Sequence, residues 1–244
     1  MHRSAPRLTR ILACAAVPVM LVVAGCSSES DSKDSSSSTG SPAGSSSSGA
    51  SPSVQQSTPS VAPAKFAKLP EPCKALSPKT IEELVPKVKN KGGTAGASSD
   101  TSARGGCSWN GLEDKGVKGS NYRWLDVSFL RYASDAGLGS GEQRAKDAYA
   151  KEVAKTRATE GAKNVNDSPA AGVGDEATAI AFGLTKTGED FKYATIVART
   201  GNVVVTLSYN GAGYAGAKTP DPSALMKDAV TAAKEAAAAV TKAN

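Results

Sequence analysis

A serine-rich stretch over residues 27–64 limits how much of this 244-residue chain can fold. It has 17 serines in 38 residues, with Gly, Pro, Ala and Thr between them and no periodic apolar pattern. Such a stretch buries too little apolar surface to offset the entropy of ordering it. We therefore expect residues 26–64 to be a disordered tether and residues 65–244 to form one globular domain.

The residues before the tether have the order of a bacterial lipoprotein signal. Three arginines precede an uncharged run over residues 11–25, which is shorter than the roughly 20 residues of a membrane span. The run ends in Val23-Ala24-Gly25-Cys26, which resembles a lipobox, where the chain is cut before a lipidated cysteine. We predict a signal peptide over 1–25, a lipid anchor at Cys26, and a location on the extracytoplasmic face of the cell membrane. An ordinary signal peptide with a chance cysteine is the alternative.

The composition of residues 65–244 argues against several classes of function. The 25 Lys and Arg exceed the 20 Asp and Glu by five, but no Arg-rich run is interleaved with aromatics, so we expect no nucleic-acid partner. The one histidine, His2, lies in the predicted signal peptide. Without it, Ser-His-Asp and Cys-His catalysis and His-containing zinc sites are excluded. We predict a domain that is not an enzyme and has no cofactor or catalytic metal.

Cys73 and Cys107 are the two cysteines of the predicted domain. In an exported protein such a pair typically forms a disulfide. This disulfide would enclose 33 residues and stabilise the fold by roughly 3–4 kcal/mol on the chain-entropy model. We expect Trp109 to pack over it. A free thiol or a redox role is the alternative.

Apolar periodicity predicts an α+β fold, a mainly antiparallel sheet packed with N-terminal, middle and C-terminal helices. Helices are predicted after Ser77, over 142–158, and from Asp221-Pro222 onward. Strands are predicted over 107–112, 122–132, 176–182, 191–200 and 203–209. The last two join at Gly201-Asn202, a favourable two-residue turn. That turn places Ala198 opposite Val205 and Ile196 opposite Leu207.

Tyr122, Trp124 and Tyr132 share one face of their predicted strand, opposite the face of Leu125. If no helix covers them, they form a candidate binding strip suited to a sugar or a peptide. If the middle helix covers them, they belong to the core. We favour the core, because the chain has only twelve aromatic residues.

Other short patterns have simple structural explanations. Residues 172–177 match GxGxxA outside any βαβ unit, which favours a glycine-dependent turn. Lys186-Thr187-Gly188 and Ser208-Tyr209-Asn210 match motifs of penicillin-recognising enzymes in reversed order. Because residues 65–244 have no S-x-x-K nucleophile motif, we interpret both matches as chance. The acidic pairs at 113–114, 175–176 and 189–190 are predicted to be solvated charges at turns.

Several of these motifs together resemble a known family. They are the lipobox, the serine-rich tether, Glu71-Pro72-Cys73, Cys107-Ser108-Trp109, Gly174-Asp175-Glu176-Ala177, and the final hairpin and helix. In this order they resemble the actinobacterial exported lipoproteins catalogued as domain of unknown function 3558, over residues 70–243. The resemblance implies export, lipidation and this fold, and supplies no catalytic residues.

We therefore expect a non-catalytic domain, held to the membrane by its N-terminal lipid, that binds a cell-envelope component. The partner would be another envelope protein, a glycan or a lipid. One alternative is a carrier of a lipid or small solute, which needs an apolar cavity. A second alternative is a hydrolase with Ser/Lys or carboxylate chemistry.

Overall fold

The computed structural model describes residues 61–244, so the predicted signal peptide, Cys26 and most of the predicted tether lie outside the described residues. The described chain forms a seven-stranded antiparallel sheet and three α-helices, and two short 3-10 helices lie at Pro72–Lys74 and Gly116–Lys118. The helices are α1 (Pro78–Leu84), α2 (Gly141–Arg157) and α3 (Pro222–Lys242). The strands are β1 (Thr94–Ala95), β2 (Arg104–Asp114), β3 (Ser120–Arg131), β4 (Lys163–Pro169), β5 (Glu176–Lys186), β6 (Glu189–Thr200) and β7 (Val203–Tyr214). Their order across the sheet is β1-β2-β3-β7-β6-β5-β4. The predicted α+β fold is confirmed.

Each helix begins at a capping side chain that the sequence provides. Ser77 accepts a hydrogen bond from the Thr80 amide, Ser140 from the Gln143 amide, and Asp221 from the Ala224 amide. These bonds satisfy amides that have no partner within the first turn of a helix. Helix α1 ends before Pro86, because proline lacks the amide that would continue it.

The β6–β7 hairpin has the predicted register. Ala198 pairs with Val205, and Ile196 pairs with Leu207. Gly201 has φ +55°, a left-handed conformation that glycine adopts without steric cost. The turn and the alternation of side chains therefore specify the same pairing.

Helix α3 covers one face of the sheet and forms the main core with it. Leu125, Val127 and Phe129 of β3 point into this core, as do Ile196 of β6 and Leu207 of β7. The helix contributes mostly alanines, of which Ala229, Ala232 and Ala236 are fully buried. Small side chains let the helix backbone lie close to the sheet, so a larger side chain here would overfill the core.

Helix α2 covers only part of the opposite face. It lies over β5, β6 and β7, where Ala145 and Val153 pack against Ile180, Phe182 and Val197. The β2–β3 side of this face, and its end nearest the β5–β6 turn, lie beside the helix rather than beneath it. This partial cover leaves a long recess on the sheet.

The predicted disulfide is confirmed. Cys73 and Cys107 are bonded, with a Cα–Cα distance of 5.1 Å. Trp109 is 2% exposed, and a Cβ at Gly93 would collide with both the Cys107 sulfur and the Trp109 indole. The bridge and the tryptophan therefore meet at one glycine, in agreement with the predicted packing of Trp109.

Two strands were not predicted. All seven residues of β4 are exposed, so it has no apolar alternation to detect. Strand β1 has only two residues. The predicted turn at 172–177 is confirmed, since Gly174 has φ +60° and lies against the Arg199 carbonyl.

The acidic pair at Asp175 and Glu176 corrects a prediction. These carboxylates do not simply face solvent. They bind Arg199, whose side chain is 17% exposed, at 3.3 Å from Nη1 to Asp175 and 2.5 Å from Nε to Glu176. Through Arg199, the pair therefore links the 172–177 turn to the β6–β7 hairpin.

The first described residues are fixed at the β6–β7 hairpin by Asn202. The Phe66 amide donates to Asn202 Oδ1 at 2.7 Å, and Asn202 Nδ2 donates to the Phe66 and Tyr132 carbonyls at 2.9 and 2.8 Å. Asn202 is fully buried. The amides of Ala67 and Lys68 donate to the Asn244 side chain, so both ends of the described chain meet at this end of the sheet.

Candidate binding cleft

The recess beside α2 has a floor of mostly small or polar side chains from β2, β3 and β7. The strand register sets them in three rows, because opposed residues of antiparallel strands point to the same face. The rows are Asn110, Trp124 and Asn210, then Ser108, Asp126 and Ser208, then Gly106, Ser128 and Thr206. Polar residues in the middle of a sheet are unusual beneath a covering helix, which agrees with a floor that stays open to solvent.

Aromatic rings form the wall at one end of this floor, where β3 begins and β7 ends. Tyr122 lies edge-on to Phe191 and to Tyr214, with ring centroids 6.0 and 6.3 Å apart. Phe191 and Tyr214 meet edge-on at 6.2 Å, and Tyr193 stacks on Phe182 at 4.8 Å. A cleft of about 560 Å³, which we call the aromatic cleft, is lined by Tyr122, Phe191, Tyr193 and Tyr214 together with Trp124, Asp126, Lys186, Ser208 and Asn210.

Trp124 and Asp126 form the central pair of the aromatic cleft. Trp124 Nε1 donates a hydrogen bond to Asp126 Oδ1 at 3.1 Å. The indole also lines a second recess of about 380 Å³, together with Asn90 and Thr94. The bond to Asp126 fixes the orientation of a large aromatic surface that ligands can reach.

Asp126 supplies the carboxyl group of the aromatic cleft, and its pKa is perturbed. Burial raises its pKa to about 6, and the hydrogen bond from Trp124 acts in the opposite direction. A desolvated carboxylate favours ligands that bring hydrogen-bond donors.

Lys186 supplies a cation at the edge of the aromatic wall. Its Nζ lies 2.7 Å from the Tyr193 hydroxyl and 5.2 Å from the centre of the Tyr193 ring. It also lies 6.0 Å from the centre of the Phe191 ring. Cation–π attraction and the hydrogen bond hold this ammonium against the rings.

The three residues of the predicted binding strip do not lie at one site in the structure. Tyr122 and Trp124 are half-buried and line the aromatic cleft. Tyr132 packs against the same buried cluster as Ala148 and Tyr149 of α2, and Arg144 lies 5.6 Å from its ring. The expected core placement therefore fails for Tyr122 and Trp124, because α2 crosses the sheet too far toward β5 to cover them.

The two motifs interpreted as chance matches meet at the same cleft. Lys186, Ser208 and Asn210 all line it, because β5, β6 and β7 are neighbours in the sheet. Ser208 Oγ accepts a hydrogen bond from Thr195 Oγ1 at 3.3 Å. Their proximity follows from the hairpins, and the chance interpretation stays a prediction.

Sequence reasoning missed several lining residues, namely Asp126, Phe191, Tyr193, Asn210 and Tyr214 as members of one site. One signal was present: Asp126 is a charge in the middle of a strand whose other face is apolar. The aromatic residues come from β6 and β7, and only the strand order brings them to Tyr122.

A third recess continues the floor along the side of α2, and we call it the α2 groove. It has a volume of about 400 Å³. Ser128 and Thr206 belong to its lining, and they follow Asp126 and Ser208 on the same strand face. Its charged lining residues are Arg104, Lys151, Glu152 and Lys155.

Neither a metal site nor a spanning helix is found among residues 61–244. No three His, Cys, Asp or Glu side chains of this region are grouped so that they could hold a metal ion. No helix of this region is both long enough and apolar enough to cross a membrane.

Comparison with known proteins does not assign a family. No family model matches the sequence, and no curated protein matches it. Among solved structures, the chain is similar to LpqN, described as involved in cell envelope biogenesis of Mycobacterium tuberculosis. The identity is 16% and the TM-score 0.30, over 53% of this chain and 68% of that one. A likeness of this size carries no argument about function, and the resemblance to the domain of unknown function 3558 family stays a prediction.

Proposed function

We propose that this protein is a lipid-anchored, extracytoplasmic, non-catalytic domain that binds a glycan of the cell envelope in its aromatic cleft. The observation that carries the proposal is the Trp124–Asp126 pair inside a wall of aromatic rings. Flat aromatic faces pack against the C–H faces of sugar rings, and carboxylate and amide groups bind sugar hydroxyls. Binding sites of this kind combine a mainly aromatic lining with a few fixed polar groups.

The polar floor favours a sugar over a lipid chain. Asp126 and Asn210 lie on the floor of the cleft. An acyl chain on top of them would exclude water from a carboxylate and an amide and offer neither group a hydrogen bond, which costs about 1–3 kcal/mol for each group. A sugar ring brings hydroxyls to both. The carrier alternative, which needs an apolar cavity, has less support at this site.

The charge of Lys186 disfavours an amine ligand. Aromatic rings beside a carboxylate also suit an ammonium group. In this cleft, however, Lys186 already lies against Phe191 and Tyr193, so a second cation would be repelled. A neutral polyhydroxylated ring can accept hydrogen bonds from Lys186 and donate to Asp126.

The number of carboxyl groups in the lining supports a binding role rather than hydrolysis. Glycosidases of the common type need two carboxyl groups on either side of the bond that they cleave. Asp126 is the one carboxyl residue that lines the aromatic cleft within residues 61–244. The proposal of a non-enzyme therefore rests on this lining as well as on the missing histidine.

Binding is tested with Trp124→Ala on a glycan array that includes chitohexaose. We expect the wild-type protein to bind at least one saccharide and Trp124→Ala to weaken that binding by about tenfold or more, because the main stacking surface is lost. Leu138→Ala, at an exposed residue outside the cleft, should bind as the wild type does. An array with no Trp124-dependent binding would contradict the proposal.

Anchoring is tested separately at Cys26. We expect Cys26→Ala to abolish incorporation of labelled palmitate in cells and to release the protein from the membrane fraction. A variant that stays lipidated and membrane-bound would refute the anchor and leave the glycan-binding test unaffected.

A further inference from the structure

We infer that the α2 groove is an anion-binding extension of the aromatic cleft, so that the bound saccharide carries an acidic group. This inference rests on the proposed function and specifies its ligand. The aromatic cleft would hold a sugar ring, and the α2 groove would hold a carboxylate or phosphoryl group further along the same ligand.

The two recesses share one floor. The row of Asp126 and Ser208 adjoins the row of Ser128 and Thr206 on the same face. Successive side chains on one face of a strand are about 7 Å apart. Because the side chains along this floor are small, an extended ligand can lie along it from Trp124 toward α2.

The charges of the α2 groove suit an anion. Arg104, Lys151 and Lys155 line it, against one carboxylate, Glu152. Glu152 binds Lys155 at 3.2 Å, and the lysine side chain is 76% exposed. Arg104 and Lys151 form no ion pair with another residue of the described region. Two cations therefore remain available to a ligand.

The position of Asp126 determines which part of an acidic ligand would lie in each recess. Its carboxylate lies at the middle of the shared floor, between the aromatic wall and the α2 groove. When ionised it repels an acidic group from the centre of the floor, and the cations of the groove attract that group to the far end. A neutral sugar ring is then left for the aromatic cleft.

The test compares two hexasaccharides with the same backbone. One is chitohexaose, and the other is a peptide-free hexasaccharide of alternating N-acetylglucosamine and N-acetylmuramic acid, which adds lactyl carboxylates. We expect the acidic strand to bind the wild-type protein about threefold to tenfold more tightly at low salt. The preference should shrink at high salt, because exposed charges are screened.

The double variant Arg104→Gln/Lys151→Gln should lose this preference and still bind chitohexaose. Lys227→Gln/Lys234→Gln is the matched control, since it removes the same charge from exposed positions of α3 on the opposite side of the sheet. Equal affinities for both strands, binding of neither strand, or a preference that survives the double variant would overturn the inference. The proposed function falls only if the glycan array also shows no Trp124-dependent binding.

Discussion

Asp126 shows how a single carboxyl group on the sheet can reduce stability. Its carboxyl group lies on a strand, buried enough to raise its pKa to about 6, and Trp124 donates the one side-chain hydrogen bond that lowers it. A core residue at this position would be apolar. The sequence shows the anomaly, a charge between Trp124 and Ser128, but not its surroundings, because Phe191 and Tyr214 come from strands 65 or more positions away.

The raised pKa makes stability depend on pH. In the folded state Asp126 keeps its proton up to about pH 6, whereas in the unfolded state it releases the proton near its ordinary pKa of 3.8. The contribution of this group to stability therefore falls as pH rises between these two values. We expect Asp126→Asn to be more stable than the wild type at pH 7 by on the order of 2 kcal/mol, and equally stable near pH 3. Urea unfolding at both pH values measures this.

Asp147→Asn, at an exposed position on α2, is the control for removal of one carboxylate. A gain for Asp126→Asn that is the same at both pH values would contradict the assignment of the effect to titration of Asp126.

Local sequence predicts some helices and strands of the fold better than others. The β6–β7 hairpin was predicted to its register, because Gly201 sets the turn and one face alternates apolar residues into the α3 core. Strand β4 was missed, because its seven exposed residues have no pattern. The position of α2 was also beyond prediction: periodicity finds the helix, whereas packing against Ile180 and Val197 decides which part of the sheet it covers.

The alanines of α3 set how closely this helix lies on the sheet. Ala236 is fully buried, so we expect Ala236→Leu to destabilise the fold by about 1–3 kcal/mol, since the added carbons have no space. Ala238→Leu, on the exposed side of the same helix, should change stability little. Thermal and urea unfolding measure the stability of both variants. If Ala236→Leu is no more destabilising than Ala238→Leu, the interface tolerates a larger spacing between α3 and the sheet.

At the scale of the whole described chain, a disulfide joins the N-terminal segment to the sheet. The Cys73–Cys107 bond encloses 33 residues and joins the 3-10 helix Pro72–Lys74 to β2. We expect Cys73→Ser/Cys107→Ser to lose roughly 3–4 kcal/mol of unfolding free energy. Reduction of the wild type should lower its unfolding free energy by a similar amount, and its urea midpoint should fall accordingly. A midpoint unchanged by either treatment would show that packing around Trp109 suffices without the bond.

The hydrogen bonds between Phe66 and Asn202 set the distance between the start of the described chain and the aromatic cleft. The chain enters at the Tyr132 end of β3, whereas Trp124 lies eight residues back along that strand, about 26 Å away. A point of attachment beside Phe66 therefore lies far from Trp124 and does not cover it. If the domain is immobilised on a sensor chip through its N-terminal side, the aromatic cleft should stay accessible even to a long polymer.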